Sequence, residues 1–414
     1  MNPLLLSGFG TTINVNKRKL IIQNKLQNKR YEFYPHKIKH DSIILDNHTG
    51  NISFESMRWL MKHNIQLTLL NWNGNLLAVT LPESPISGKL RIKQYQKYLD
   101  EKVRYEIAEK IVFSKINLSV NLLKELANFY EIDIKNVEKT VQKKFQKYQK
   151  SLKTEKRPHF STLMSFEGGI AILYFENLVK IFAKLAPEFN FQARWVQENR
   201  KNYNAVDEIN ALLNYGYAIL ESEIKKMIHS IGLDPQIGFL HEVLPSKTPL
   251  VYDFQELFRW IIDLSVIQLL ESQPKLNKND FILTENYHIR LKETTAKRLI
   301  EKIKNNFNKK APYKEKNFQY HNILYDNLSK LAFFISDKTK NVDFVIPKIT
   351  IERNDDLFLQ EKILKMTPEE RKKLGINKST LWYMKKNLQT RDSIKIYNKT
   401  LSKIQDPQNL VRKE

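Results

Sequence analysis

Short apolar and polar runs alternate through the first 85 positions, and longer runs at three- and four-residue spacing fill most of the remainder. A period of two marks a half-buried strand, and a period near 3.6 marks an amphipathic helix. Thr11-Thr12-Ile13-Asn14-Val15, Leu20-Ile21-Ile22 and Ser42-Ile43-Ile44-Leu45 read as strands. Ser53 to His63 carries apolar residues at helical spacing and predicts a short helix. Gln66 to Trp72 and Asn75 to Leu81 flank Asn73-Gly74, a dipeptide that predicts a type I′ hairpin. Pro82, Ser84, Pro85, Ser87 and Gly88 then interrupt the pattern and mark a boundary.

From Leu90 the spacing is helical almost to residue 338. Arg91 to Leu99, Tyr105 to Ile116 and Asn322 to Ser336 are helices on this pattern. Val342 to Ile351, with Pro347 and β-branched residues, reads as an extended linker. Thr367-Pro368-Glu369-Glu370 is a helix start, with Thr as cap, Pro at the first helical position and acids in the first turn. That helix ends at Gly375, and Asn377 caps a second one over Lys378 to Leu388. The fold class predicted is α+β multidomain. A small N-terminal β-rich domain covers 1–85, a large all-α domain covers 90–338, and a linker with a helix-turn-helix-like extension covers 339–414. In that extension Ser379, Thr380, Tyr383, Lys385 and Lys386 lie on the second helix and are candidate DNA contacts. The alternative is an ordinary helical hairpin.

Composition narrows the partner. The chain has 414 residues, 42% of them hydrophobic, with 11 glycines and 14 prolines, which suits a sizeable, mainly helical core. Its formal net charge is +23, which points to a polyanion, nucleic acid first. Lys139 to Arg157 is strongly basic, with few apolar residues after Val141, and reads as a solvated helix or loop rather than a dedicated DNA arm. No apolar run reaches 18 residues, so no membrane span is expected. MNPLLLSGFG lacks a basic start and is too short for a secretory core. Cysteine is absent, which excludes disulfides and thiolate metal sites and fits a reducing cytoplasm.

Candidate chemistry gathers between Asn210 and Arg259. A long amphipathic segment containing Tyr215-Gly216-Tyr217 leads to the turn Gly232-Leu233-Asp234-Pro235. His241 follows in an apolar run, then Asp253 and Glu256 at i, i+3 on one helix face. An imidazole and two carboxylates in one short segment can hold a divalent cation, although Asp-x-x-Glu is ordinarily a solvated face. Upstream, Glu167 sits in the apolar stretch Ser165-Phe166-Glu167-Gly168-Gly169-Ile170-Ala171, where a buried carboxylate needs an arginine or a cation as partner. Gly168 and Gly169 are poor helix residues that allow close approach of a backbone or of DNA. Tyr215 and Tyr217, two apart, face different sides, so both are not expected in the core. One of them would reach DNA, or both would be structural. Arg259 shares the face of Glu256 and either clamps a phosphate or pairs with Asp253 or Glu256. Glu242 is expected to be exposed.

These sub-motifs, in this order and spacing, resemble the CRISPR-associated adaptation integrase family, which includes the transposon-borne casposases. The resemblance covers residues 1 to about 338, with its sharp motifs between Glu167 and Arg259. It implies three metal ligands, Glu167, His241 and Glu256. Asp253 would be a fourth ligand or a group orienting His241 or a water. It also implies Mg²⁺ or Mn²⁺ as cofactor, and joining of a DNA 3′-hydroxyl to target DNA by transesterification. The partners implied are double-stranded DNA, a second copy bound through the β-rich domain, and two such dimers bridging one fragment. The preferred role is spacer insertion into a CRISPR array with a small companion adaptation protein. The alternative is insertion of a mobile element without that companion. A non-catalytic helix-turn-helix regulator and a plain metal nuclease are readings of other classes. Two departures from the family pattern stand out: Trp260 replaces a frequent proline, and Arg200-Lys201-Asn202-Tyr203-Asn204 replaces an Arg-Pro-Pro-like entry.

Overall fold

The computed structural model describes residues 1–390 except 26, 47–48, 83–86, 131, 155–158, 192, 194–204, 206, 285–287, 348–350, 352–362 and 365; for 135, 154 and 387–390 only the backbone is described. The Arg200–Asn204 departure, Ser84 and Pro85, and the end of the basic run at 155–157 lie outside the described residues. The chain divides into two compact units, Met1–Ile349 and Thr350–Glu414.

The first unit begins with two four-stranded sheets. One has the order β1 (Pro3–Ser7), β5 (Ser42–Asp46), β7 (Gln66–Leu70), β8 (Leu76–Thr80). The other has the order β4 (Lys29–Phe33), β3 (Lys19–Asn24), β2 (Thr11–Asn16), β6 (Gly50–Ile52). Alternation decides which face is inside: in β3, Leu20, Ile22 and Asn24 are buried and their neighbours are not. Helix α1 (Phe54–Lys62) joins the sheets, with Trp59 and Leu60 in the shared apolar core. Its Trp59 Nε1 donates to the Arg18 carbonyl at 3.0 Å, and Ser56 Oγ donates to the Ile13 carbonyl at 3.0 Å. The β7–β8 hairpin differs from a type I′ turn. Gly74 has φ +80° while Asn73 keeps a negative φ, and Asn71 N–H donates to the Asn75 carbonyl at 2.7 Å. The result is a three-residue loop with a positive-φ glycine and a strand irregularity beside it.

The remainder of this unit is mainly helical: α2 (Gly88–Leu99), α3 (Glu101–Tyr130), α4 (Lys135–Thr154), α5 (Phe160–Leu185), α6 (Glu208–Ile231), α7 (Pro249–Glu271), α8 (Glu293–Asn308) and α9 (Tyr320–Ile335). Two small hairpins interrupt it, β9 (Phe281–Leu283) with β10 (Ile289–Leu291) and β11 (Lys310–Tyr313) with β12 (Lys316–Gln319). Strands of three or four residues are too short to overturn a helical period over a longer window. The basic run is helical in α4, with Val137 and Tyr148 buried and Lys139, Lys143, Lys147, Lys150 and Lys153 exposed. Residues 342–345 pack back on the helices rather than running free. Ser114 Oγ donates to the Phe344 carbonyl at 3.1 Å, and the Phe344 ring meets Phe254 edge-on. Among the described residues, no helix is long and apolar enough to cross a membrane.

Helix α6 is covered over most of its circumference, with Leu212, Leu213, Tyr215, Gly216, Tyr217, Ile219, Leu220, Ser222 and Ile224 all buried and Asn210, Asn214, Glu221 and Lys225 half-buried. Gly216 explains how close α6 lies to α7, because a Cβ there would collide with Ile262 Cγ2. The opposite side of α6 meets the first sheet. Gln66 Nε2 donates to Ser222 Oγ at 2.8 Å, and Tyr215 OH donates to Asp46 at 3.4 Å.

In the second unit, α10 (Pro368–Lys373) starts with a full capping box between Thr367 and Glu370. Gly375, with φ +60°, turns the chain into α11 (Lys378–Thr390). Ile363, Met366, Leu374, Ile376, Leu381 and Met384 form its own core.

Candidate active site

Three helices distant in sequence meet at one buried position. Lys115 from α3 contacts Glu167 Oε1 from α5, and its ammonium lies 2.6 Å from Glu256 Oε2 of α7. The side chains are 20%, 13% and 8% exposed, respectively. Arg259, one turn beyond Glu256, donates from its guanidinium to Glu256 Oε1 at 2.9 Å and lies 4.4 Å from the centre of the Tyr217 ring. Burial alone would push the Glu256 carboxyl up, but Lys115 and Arg259 outweigh it and hold the group well below the usual carboxylate range. Burial likewise opposes charge on Lys115, and Glu256 and Glu167 overcome it, raising its pKa.

His241 stands on the segment between α6 and α7. Gly232 ends α6 in the left-handed region at φ +91°. The following segment is fixed from outside by Gln94, which donates to the Asp234 and Ile237 carbonyls at 2.9 and 2.8 Å. Arg104 donates to the Phe239 carbonyl at 3.1 Å and to Glu242 at 2.8 Å. Gly238 lies directly on the start of α7, where a Cβ would fall 2.6 Å from the Pro249 carbonyl carbon. From inside, the fully buried Asp253 accepts the N–H groups of Phe239 at 2.5 Å, Leu240 at 3.1 Å and His241 at 3.0 Å. Asp253 Oδ1 is also 2.8 Å from His241 Nδ1. In neutral His241, donation from Nδ1 to Asp253 fixes the tautomer and leaves the Nε2 lone pair free. Burial opposes charge on His241, yet the Asp253 hydrogen bond and charge raise its pKa.

A cavity of about 230 Å³ adjoins this junction, lined in part by Lys115, Ser119, Glu167, Glu256, Arg259 and Asp263. His241 is not part of its lining, although it interacts electrostatically with Glu256 and Lys115. Among the described residues, no three His, Asp or Glu side chains group closely enough to hold a metal, and the Lys115 ammonium stands between Glu167 and Glu256. The donor set still suits a hard cation. A buried and a half-buried carboxylate already share the Lys115 ammonium, and Glu256 Oε2, despite that nearby group, receives no hydrogen bond in proper geometry.

Glu167 and Glu256 are therefore brought together, and Asp253 has the geometry of a clamp on His241, all its oxygens being taken by donors. Tyr215 and Tyr217 are both buried, against the expectation that only one could be. The period argument assumed a broad wet side, and α6 has only a narrow half-buried stripe at Asn210, Asn214, Glu221 and Lys225. Tyr217 OH donates to Asp263 at 2.5 Å, beside Tyr174 OH at 2.7 Å, so it supports the site from beneath. Arg259 takes the ion-pair alternative with Glu256. Glu242 is exposed, as expected, and pairs with Arg104. Gly169 faces Lys144 of α4, and Gly168 opens on empty space. In the second unit, Ser379, Tyr383 and Lys386 are exposed, Thr380 is half-buried, and Lys385 turns back to the Met366 carbonyl at 3.1 Å. Lys115 and Asp263 were not foreseen. A lone lysine among Ile111, Val112, Phe113 and Ile116 was the available signal, since a buried ammonium needs carboxylates just as Glu167 needs a cation.

A family model described as CRISPR associated protein Cas1 matches residues 4–305. The CRISPR-associated endonuclease Cas1 2 of Saccharolobus solfataricus is 28% identical over 308 residues, covering 73% of this chain and 87% of that protein. The CRISPR-associated endonuclease Cas1 1 of Archaeoglobus fulgidus is 24% identical over 355 residues, covering 83% of this chain and 99% of that one. Among solved structures, a casposase bound to integration product is 36% identical with a TM-score of 0.76, covering 88% of this chain and 99% of that chain. With its strand-rich start, its helical body and a family match over most of its length, the chain belongs to the CRISPR-associated protein Cas1 family.

Proposed function

We propose that this protein is a divalent-metal-dependent DNA integrase and endonuclease that joins a DNA 3′-hydroxyl to a phosphodiester of target DNA. The observation that carries this reading is the junction of Glu167 and Glu256, 89 positions apart, around one buried positive charge beside an open cavity. Glu167, Glu256 and Nε2 of His241 would hold Mg²⁺ or Mn²⁺. When bound there, such a cation offsets the negative charge of a phosphodiester and of its attacking oxygen. Asp253 keeps His241 in one tautomer and orientation. Arg259 keeps Glu256 ionised and is itself held by Tyr217, so the carboxylate stays fixed as substrate arrives. The exchange breaks one P–O ester bond as it forms another, so it requires neither ATP nor a covalent protein intermediate. The surface surplus of positive charge supplies affinity for the DNA backbone.

Insertion of a mobile element is the role favoured by the likeness to a casposase, which extends over 88% of this chain. Spacer insertion into a CRISPR array, with a small companion protein, is the role that the likeness to Cas1 endonucleases supports. In either role two copies would pair through the strand-rich region, whose edge strand β8 exposes Leu77.

The test is a gel assay with Mn²⁺, a short duplex bearing free 3′ ends and supercoiled plasmid. Wild type should yield joined product. His241→Ala and Glu167→Gln should lose it by about 100-fold or more while binding DNA nearly as well. Cut ends without joined product would leave a nuclease only, and unchanged joining in both variants would refute the site. Joining that needs an added companion protein and a repeat-containing target would favour the CRISPR role.

A further inference from the structure

Lys115 carries a charge that the proposed strand exchange does not use. It lies inside α3, between the buried Val112 and Ile116, yet its ammonium reaches carboxylates from two other helices. Two carboxylates sharing one place, out of bulk water, require either a positive charge between them or a shared proton, and here Lys115 supplies the charge. We propose that Lys115 is a tethered cation that competes with the divalent metal for the place between Glu167 and Glu256, and that metal entry sends its ammonium into the adjoining cavity. This inference rests on the metal-dependent reading above.

Three features of the site support it. The ammonium touches both glutamates that would hold the metal, so the two cations exclude each other. Room for the displaced group exists, because Lys115 itself lines the cavity of about 230 Å³ together with Ser119 and Asp263. The second positive charge is anchored differently: Arg259 is fixed to Glu256 Oε1 and to the Tyr217 ring, whereas Lys115 ends a flexible four-carbon stem. Of the two, Lys115 is the one free to leave. Once displaced, its charge would lie in the same cavity as the metal, where a DNA phosphate could take it up. Metal loading would then prepare the cavity for an anion.

The experiment measures Mn²⁺ binding to the full chain without DNA, by the electron paramagnetic resonance of free Mn²⁺. Lys115→Met should tighten binding by about tenfold or more, the factor by which the lysine-bridged state excludes metal. Lys115→Arg, which keeps the charge, should remain near wild type. Equal or weaker binding by Lys115→Met would overturn the proposal. Because the methionine variant leaves two buried carboxylates facing each other, a second readout uses the wild type alone. Reductive methylation followed by peptide mass spectrometry should label Lys115 slowly in chelator and several-fold faster with saturating Mn²⁺; equal labelling would overturn the proposal. If Mn²⁺ binds wild type and Lys115→Met alike, only this inference fails. If it binds neither, the metal-dependent reading fails with it.

Discussion

Asp253 accepts three backbone N–H groups and the imidazole of His241, and none of its surface reaches water. Asp253→Ala removes every one of these acceptors while leaving the donors enclosed. An unsatisfied buried donor costs about 1–3 kcal/mol. Three backbone donors, with some relaxation of the segment, give a loss of about 3–5 kcal/mol. That is a large share of the roughly 5–15 kcal/mol typical of a folded domain. The assay is urea unfolding followed by tryptophan fluorescence, in chelator, for wild type, Asp253→Ala and Asp253→Asn. The asparagine keeps one acceptor oxygen and should lose less than the alanine. Chelator matters because a metal ligand would cost nothing without metal, whereas a backbone clamp costs its full amount. A loss below about 1 kcal/mol for Asp253→Ala would refute the clamp and return Asp253 to the ligand set.

Asp46 has its carboxyl pushed up to about 6 by burial, with Arg290 and Tyr215 pulling the other way. A raised folded-state pKa means this group's contribution is complete below pH 3.8 and is lost as pH rises through about 6. Wild type should lose up to about 3 kcal/mol from this group between pH 3.8 and 7. Asp46→Asn should flatten that part of the profile; parallel profiles for both proteins in denaturant melts would refute the assignment. At Gly238, alanine would press its methyl on the Pro249 and Leu250 backbone, which cannot swing aside as a side chain can. Gly238→Ala should cost about 1–3 kcal/mol and should shift the His241 imidazole resonances in NMR spectra. Unchanged stability and resonances would show that the segment has slack.

Strands β2 and β3 were legible because alternate residues enter one core, so a period of two survives in the sequence, whereas β5 and β7, buried at four of five positions, read as short apolar runs and β8 was legible from the Asn73-Gly74 turn before it. The cap at Thr367 and the turn at Gly232 were legible from local residue chemistry alone. The short hairpins β9–β10 and β11–β12 carry too few residues to show a period of their own. Glu167, a carboxylate in an apolar run, announced a need for a partner, whereas His241 and Glu256 joined it as a set only through the order and spacing of the sub-motifs that carry the family resemblance. Which partner each one meets depends on how α3, α5 and α7 pack, and that is long-range information. Lys115 illustrates the limit, being one of 68 basic side chains in a strongly basic protein. Tyr215 and Tyr217 take the structural alternative together, because α6 is covered over most of its circumference and helical period cannot report how many neighbours a helix will have.

Helix α6 belongs to two neighbourhoods at once. Ser222 and Tyr215 are bonded to the sheet that holds Gln66 and Asp46, while Gly216 and Tyr217 are pressed against the helix that carries Glu256 and Arg259. The strand-rich region is thus a wall behind the helix that backs the site, not a detachable handle. Severing the chain at residue 90 would strip that wall away and wet one flank of α6.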